Sequence, residues 1–270
     1  SQAVTGVPPN ENYARELMQL FTIGLPTLNP DGSSVLENGQ PVPAYTEKDV
    51  KELARILTGW TFGDGDPATA PRRLAAENYG VPMENVARYH DTGAKSFLGH
   101  EFPAGQTAAQ DLTQALDILF NHPNVGPFVS RQLIQQLVTS NPSPAYVARV
   151  AGAFANNGSG VRGDLKAVFA AVLLDDEARN PATATQPGFG KLREPILRFV
   201  QWGRTFGIQS ARGSWKIGDA SNPATQLGQS PLRSPSVFNF FRPGYVPPST
   251  ALSASQTPAP EFQLVNESTV

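Results

Sequence analysis

The sequence predicts an all-α fold, an irregular multi-helix domain of about eight helices with long Pro/Gly-rich loops and minor β-hairpins. Three observations carry that expectation. Segment after segment repeats apolar side chains at three- and four-residue spacing. Several of these segments open on a capping residue or a first-turn proline and close on glycine or asparagine. The 24 glycines and 25 prolines fall largely between the periodic segments, which marks ordered loops that punctuate helices.

The first helix is expected over residues 10–24. On a wheel of about 100° per residue, Tyr13, Ala14, Leu17, Met18, Leu20 and Phe21 fill one half. Glu11, Asn12, Arg15, Glu16 and Gln19 fill the other. Asn10 is placed to cap its start and Gly24 to end it in the left-handed conformation. The apolar half belongs in the core, and the polar half is densely functionalised.

Between Thr27 and Val42, the turn dipeptides Asp31-Gly32 and Asn38-Gly39 predict short hairpins. Asp31, Ser33 and Glu37 lack the spacing of a calcium loop and read as turn residues. Thr46-Glu47-Lys48-Asp49 opens a second helix as a capping box with Asp in place of Glu. Its stripe is Val50, Leu53, Ala54 and Leu57. A short helix is expected over residues 72–78 and a hairpin strand over residues 95–98.

The middle of the chain is the most strongly helical. Residues 108–121 carry Leu112, Ala115, Leu116 and Leu119 as the inward stripe. Further helices are expected over residues 127–139, over 145–154 behind Ser143-Pro144, over 164–174, and over 195–206. In the last of these Ile196, Phe199, Val200 and Trp202 are the core candidates. Phe238, Phe240 and Phe241 form an aromatic knot that, with Trp215, reads as core packing before a sugar-stacking surface. Residues 243–270 read as a peripheral Pro-rich tail that ends on the opening turns of a helix from Glu261. The whole chain, 1–270, is expected to form a single helical domain.

A net charge of −2 gives no electrostatic footprint for nucleic acid or an anionic membrane. The absence of cysteine excludes disulfides, thiolate metal sites and cysteine nucleophiles. No apolar run approaches the roughly 20 residues of a membrane span, and no basic-then-apolar leader opens the chain. The chain starts and stops abruptly, so its natural ends are expected to lie beyond it.

A set of motifs carries a family resemblance. They are Asn10-Glu11-Asn12-Tyr13-Ala14-Arg15-Glu16-Leu17, Tyr45-Thr46-Glu47-Lys48-Asp49-Val50 and Leu57-Thr58-Gly59-Trp60. His90-Asp91-Thr92-Gly93-Ala94-Lys95, Leu98-Gly99 and Arg131-Gln132-Leu133 follow. Gly190-Lys191-Leu192-Arg193-Glu194-Pro195, the run from Ser234 to Pro243, and Pro260-Glu261-Phe262 complete it. Together they resemble the bacterial domain-of-unknown-function family 1800, nearly end to end. The resemblance implies a mostly helical, exported (periplasmic or secreted) protein that is longer at both ends, and it brings no settled activity. The resemblance also implies that the family's N-terminal helical region is expected to lie outside this chain.

Candidate chemistry gathers at two places. Glu11 and Arg15, and Asn12 and Glu16, are one turn apart on the first helix, a spacing that supports a surface helix by a few tenths of a kcal/mol. His90-Asp91 lies in a loop, where functional side chains concentrate. Two carboxylates at suitable separation can run glycosidic hydrolysis. The specific expectation is therefore an exported hydrolase of polysaccharide or another polymer. Glu11, Glu16 and Asp91 would supply its acids, His90 would shuttle protons, and Arg193 or Arg15 would tune them. The alternative is a non-catalytic surface or assembly protein whose polar motifs are structural. A deep cleft lined by Glu16 and His90 favours the first, and the same residues locked in buried ion pairs favour the second.

No metal or cofactor is expected. His90, His100 and His122 lack zinc-site spacing, Gly158-Ser159-Gly160 is no nucleophile elbow, and Gly-rich phosphate loops are missing. His122, at a helix end before proline, reads as a cap.

Overall fold

The computed structural model of the chain describes residues 6–63, 80–215 and 218–265. The short helix expected over residues 72–78 lies outside them. The fold is mostly helical with small hairpins, as the periodicity predicts. In chain order the described helices are α1 (Asn12–Gln19), α2 (Glu47–Ile56), α3 (Ala108–Asn121), α4 (Val125–Leu137), α5 (Pro144–Ala155), α6 (Leu165–Leu174), α7 (Asp176–Arg179), α8 (Pro195–Thr205) and α9 (Ala251–Ala254). Three antiparallel two-stranded sheets accompany them: β1 (Leu36–Glu37) with β2 (Gln40–Pro41), β3 (Trp60–Thr61) with β4 (Glu84–Asn85), and β5 (Lys95–Phe97) with β6 (His100–Phe102).

The chain divides into two compact units, residues 1–131 with 147–168 and residues 132–146 with 169–270. In the first, α1 is shorter than its sequence period. Asn10 Oδ1 accepts the Asn12 amide at 2.8 Å, and the helix is over by Gln19. Gly24 then takes φ +75°, where a Cβ would meet the Phe128 ring at 2.8 Å. Because the helix stops before Phe21, the wheel overstates its buried face. Ala14 and Met18 are buried, but Tyr13 is 68% and Phe21 66% exposed.

Local signals fare better in the next elements. Asn38 (φ 52°) and Gly39 (φ 78°) form the two-residue left-handed turn between β1 and β2. The Thr46–Asp49 capping box is formed in both directions, and Val50, Leu53, Ala54 and Ile56 bury the stripe of α2. Leu98 (φ 48°) and Gly99 (φ 79°) turn β5 into β6, pairing Phe97 with His100 and Lys95 with Phe102.

The inward stripe of α3 keeps Ala115 and Leu119 of the expected four and replaces Leu112 and Leu116. Ala108, Asp111, Ala115 and Leu119 are buried, while Leu116 is exposed and Leu112 half-buried. The helix is turned so that a carboxylate occupies an apolar register position.

In the second unit, Ser143 Oγ accepts the Tyr146 amide at 3.1 Å and caps α5. The fully buried Tyr146 donates its hydroxyl to the Val172 carbonyl. Helix α8 buries less than its pattern promises. Trp202 is 51% exposed and Val200 is also exposed, because Phe199, Trp202 and Phe206 lean on one another along the helix, with centroids 6.2 and 5.9 Å apart. Phe238 and Trp215 are exposed too, so the aromatic knot is not core. The Pro-rich tail brings Pro260, Glu261 and Leu264 into buried positions on a single 3₁₀ turn, Pro260–Leu264.

Candidate functional site

The polar face of α1 is paired to its neighbour. Arg15 reaches Glu47, the first residue of α2, with Nη1 and Nη2 at 3.1 and 3.0 Å from the two carboxylate oxygens. Glu11 lies 3.5 Å from the same guanidinium. The hydrogen bond to Glu47 is the main cause that raises the Arg15 pKa, and the reciprocal bond lowers that of Glu47. Glu16 is different: its Oε2 is buried and accepts no hydrogen bond, as is the Tyr45 hydroxyl. Burial pushes the Tyr45 phenol up, the Glu16 and Glu47 charges add to the shift, and Arg15 opposes it. Arg131, a conceivable partner for Glu16, instead donates to the Gly32 carbonyl at 3.4 Å.

His90 and Asp91 are adjacent in sequence and go to different partners. Asp91 receives Arg55 Nε at 3.1 Å and Nη2 at 3.2 Å, and the Gly93 amide at 2.9 Å. Burial alone would raise its carboxyl, but Arg55 and the Gly93 amide together hold it below the ordinary value. Arg55 also holds Glu52 at 2.9 Å and donates to the Ala94 carbonyl, while Glu52 accepts the Ser96 amide of β5. A Cβ at Gly93 would sit 3.0 Å from Arg55 Nη2 and 3.2 Å from Asp91 Oδ1, close against this pair.

His90 turns inward. Its Nδ1 lies 3.1 Å from the Thr58 carbonyl oxygen and its Nε2 3.1 Å from Asp111 Oδ2. Thr58 Oγ1, 3.4 Å from Nδ1, already donates to the Arg55 carbonyl and accepts the Asp91 amide. Nδ1 thus faces an acceptor, while Nε2 lies within ion-pair distance of Asp111 without making a hydrogen bond. Lys95 Nζ approaches Asp111 Oδ2 at 2.9 Å and donates to the Gly93 carbonyl at 2.8 Å. The side chains of His90, Lys95 and Asp111 are 2%, 0% and 0% exposed. Their contacts are ionic: the atoms lie within ion-pair distance, but neither Asp111 oxygen receives a donor at a hydrogen-bonding angle.

Of the five candidate residues, Glu11, Glu16, His90 and Asp91 belong to the first unit and Arg193 to the second. Arg193 is exposed and forms no ion pair among the described residues. The neighbouring motif residues of the second unit are the ones engaged. Lys191 pairs with Glu261 at 3.0 Å and caps the end of α4 through the Gln135 and Gln136 carbonyls. Glu194 accepts from Gln229 Nε2 at 2.6 Å.

The residues that sequence reasoning missed are Asp111, Lys95, Arg55 and Thr58. A charged residue in the buried register of α3 was the available signal for the first. His122 is the C-cap of α3, as expected, and its Nδ1 also accepts the Asn124 amide at 3.1 Å. Burial lowers its pKa and keeps it neutral. Among the described residues no three His, Asp or Glu side chains gather as a metal ion requires, and no helix is long and apolar enough to cross a membrane.

No curated protein and no solved structure matches the chain. A family match does cover residues 2–268. The chain belongs to the family described as "Protein of unknown function (DUF1800)".

Proposed function

We propose that this chain is a non-catalytic interaction or assembly protein whose polar motifs hold the fold. One observation carries the reading: the acid–base residues of the His90–Lys95 motif are spent internally. His90 and Lys95 close on Asp111 away from solvent, and Asp91 is held by Arg55. A general acid or base must reach the proton it moves, and side chains with almost no exposed surface offer a polymer substrate nothing to meet. The export implied by the family resemblance fits an extracytoplasmic assembly role. Fractionation of cells that express the full-length protein tests that location.

A polymer hydrolase is the second reading, and Glu16 is what favours it. A carboxylate oxygen that is buried without a donor, beside an equally unpartnered Tyr45 hydroxyl, has the desolvated character of a catalytic acid. Glu16→Gln separates the two readings. Glu16 Oε2 has no hydrogen-bond donor to lose, so the change should leave the melting temperature level or raise it, and turnover is the readout that separates the readings. The expected outcome is no polymer hydrolysis in the wild type, in a screen of soluble polysaccharides and peptides. Turnover that Glu16→Gln abolishes without lowering the melting temperature would sink the non-catalytic reading.

A further inference from the structure

Helix α3 carries a second stripe, opposite in character to its buried one. Gln110, Thr113, Gln114, Asp117, Ile118 and Asn121 follow one another at three- and four-residue spacing and line one groove of the first unit, of about 980 Å³. Leu98 and Pro123 add apolar wall, and His122 closes one end. From Gln110 to Asn121 the stripe runs about 16 Å at 1.5 Å per residue. That is the length of about five residues of extended chain.

The hydrogen-bonding capacity left over along this groove can be counted. Gln110 spends its oxygen on the Thr107 amide and hydroxyl, which leaves its NH₂ uncommitted. His122 accepts the Asn124 amide at Nδ1 and stays neutral, so its Nε2 carries a proton to donate. Asn121 gives its NH₂ to the Asp117 carbonyl and keeps its oxygen. Gln106 donates to Gln114 and leaves a buried oxygen unmet. Gln114 spends its own NH₂ on the Glu101 carbonyl, which blocks that edge of β6. Donors at Gln110 and His122 and acceptors at Asp117 and Asn121 remain.

We propose that this groove docks an extended, neutral or basic segment of another polypeptide. A peptide presents one donor and one acceptor per residue, which matches the mixed valence left on amide and imidazole side chains. Asp117 is the one formally charged residue in the lining, so an acidic segment is disfavoured. Among the described residues the lining includes no Phe, Tyr or Trp to stack on a sugar. The proposal rests on the interaction-protein reading and names the partner's chemistry.

The test pans the full chain against a phage-displayed library of random linear peptides. Enriched peptides are then measured against Thr113→Arg, which fills the groove, and Asp117→Lys, which reverses its charge. Both positions are exposed and outside the ion-pair hubs, so melting temperatures should stay near wild type. The expected result is a neutral or basic consensus that binds at least about tenfold more weakly to either variant. No enrichment, or peptides that bind both variants as well as wild type, overturns the proposal. Neutral oligosaccharides that bind wild type and not Thr113→Arg would overturn the peptide as occupant. Cleavage of a bound peptide, read by mass spectrometry, would sink the non-catalytic reading and leave the groove standing. Loss of peptide binding alone would do the reverse.

Discussion

At Asp111 one carboxylate faces a histidine and a lysine, all three buried from bulk solvent. Replacing it with Asn removes the charge and leaves Lys95 buried beside a neutral amide. A buried pair broken on one side costs on the order of 3–5 kcal/mol, so Asp111→Asn should lose about that much in urea unfolding. An unchanged midpoint would mean that the cluster is not formed in solution. Asp91 makes a prediction in pH. Its carboxyl is held below its ordinary value by Arg55 and the Gly93 amide against the cost of burial. The folded state therefore binds that proton less readily than the unfolded one. The stabilisation is complete above the unfolded value of about 3.9 and fades as pH falls through the lower folded value. Asp91→Asn should be less stable than wild type at neutral pH, and the gap should close as pH drops below about 4. Adjacency made His90 and Asp91 look like one acid–base pair in the sequence. Their partners lie far along the chain, Asp111 for one and Arg55 for the other, and spacing alone carries no information about such contacts.

Between residues and the whole, elements were readable where their signals are local. Asn38-Gly39 specifies its own turn, and Thr46 with Asp49 specifies the start of α2 within four residues. The facing of α3 was readable only in part, because Ala115 and Leu119 are buried as expected while Leu112 and Leu116 give way to Ala108 and Asp111. What decides it is Asp111, which is worth burying only once His90 and Lys95 have come to it. Asp49 joins the two kinds of signal. Its Oδ2 accepts the Thr46 amide and its Oδ1 accepts the Leu98 amide at the turn of the β5–β6 hairpin. Thr46→Ala should cost about 1 kcal/mol as a lost cap. Asp49→Ala should cost more, about 2 kcal/mol, because a hairpin amide loses its acceptor as well. Equal losses in the two variants, measured by denaturant unfolding, would mean that the hairpin bond contributes nothing.

For the molecule as a whole, helix dominates, and among the described residues strands occur in pairs of two or three residues each. Far-ultraviolet circular dichroism should accordingly show strong helical minima, and a strand-dominated spectrum would contradict the fold. Each unit has its own ionic hub that motif residues enter, His90 and Lys95 around Asp111 in one and Lys191 with Glu261 in the other. The first hub also bears on timing. Its charges gain little from one another in water, and their attraction grows only once the hairpin, the loop before it and α3 have met and expelled the solvent. A contact completed that late does little to hurry folding and much to hold back unfolding. It works as a latch, closed last and opened with the greatest reluctance.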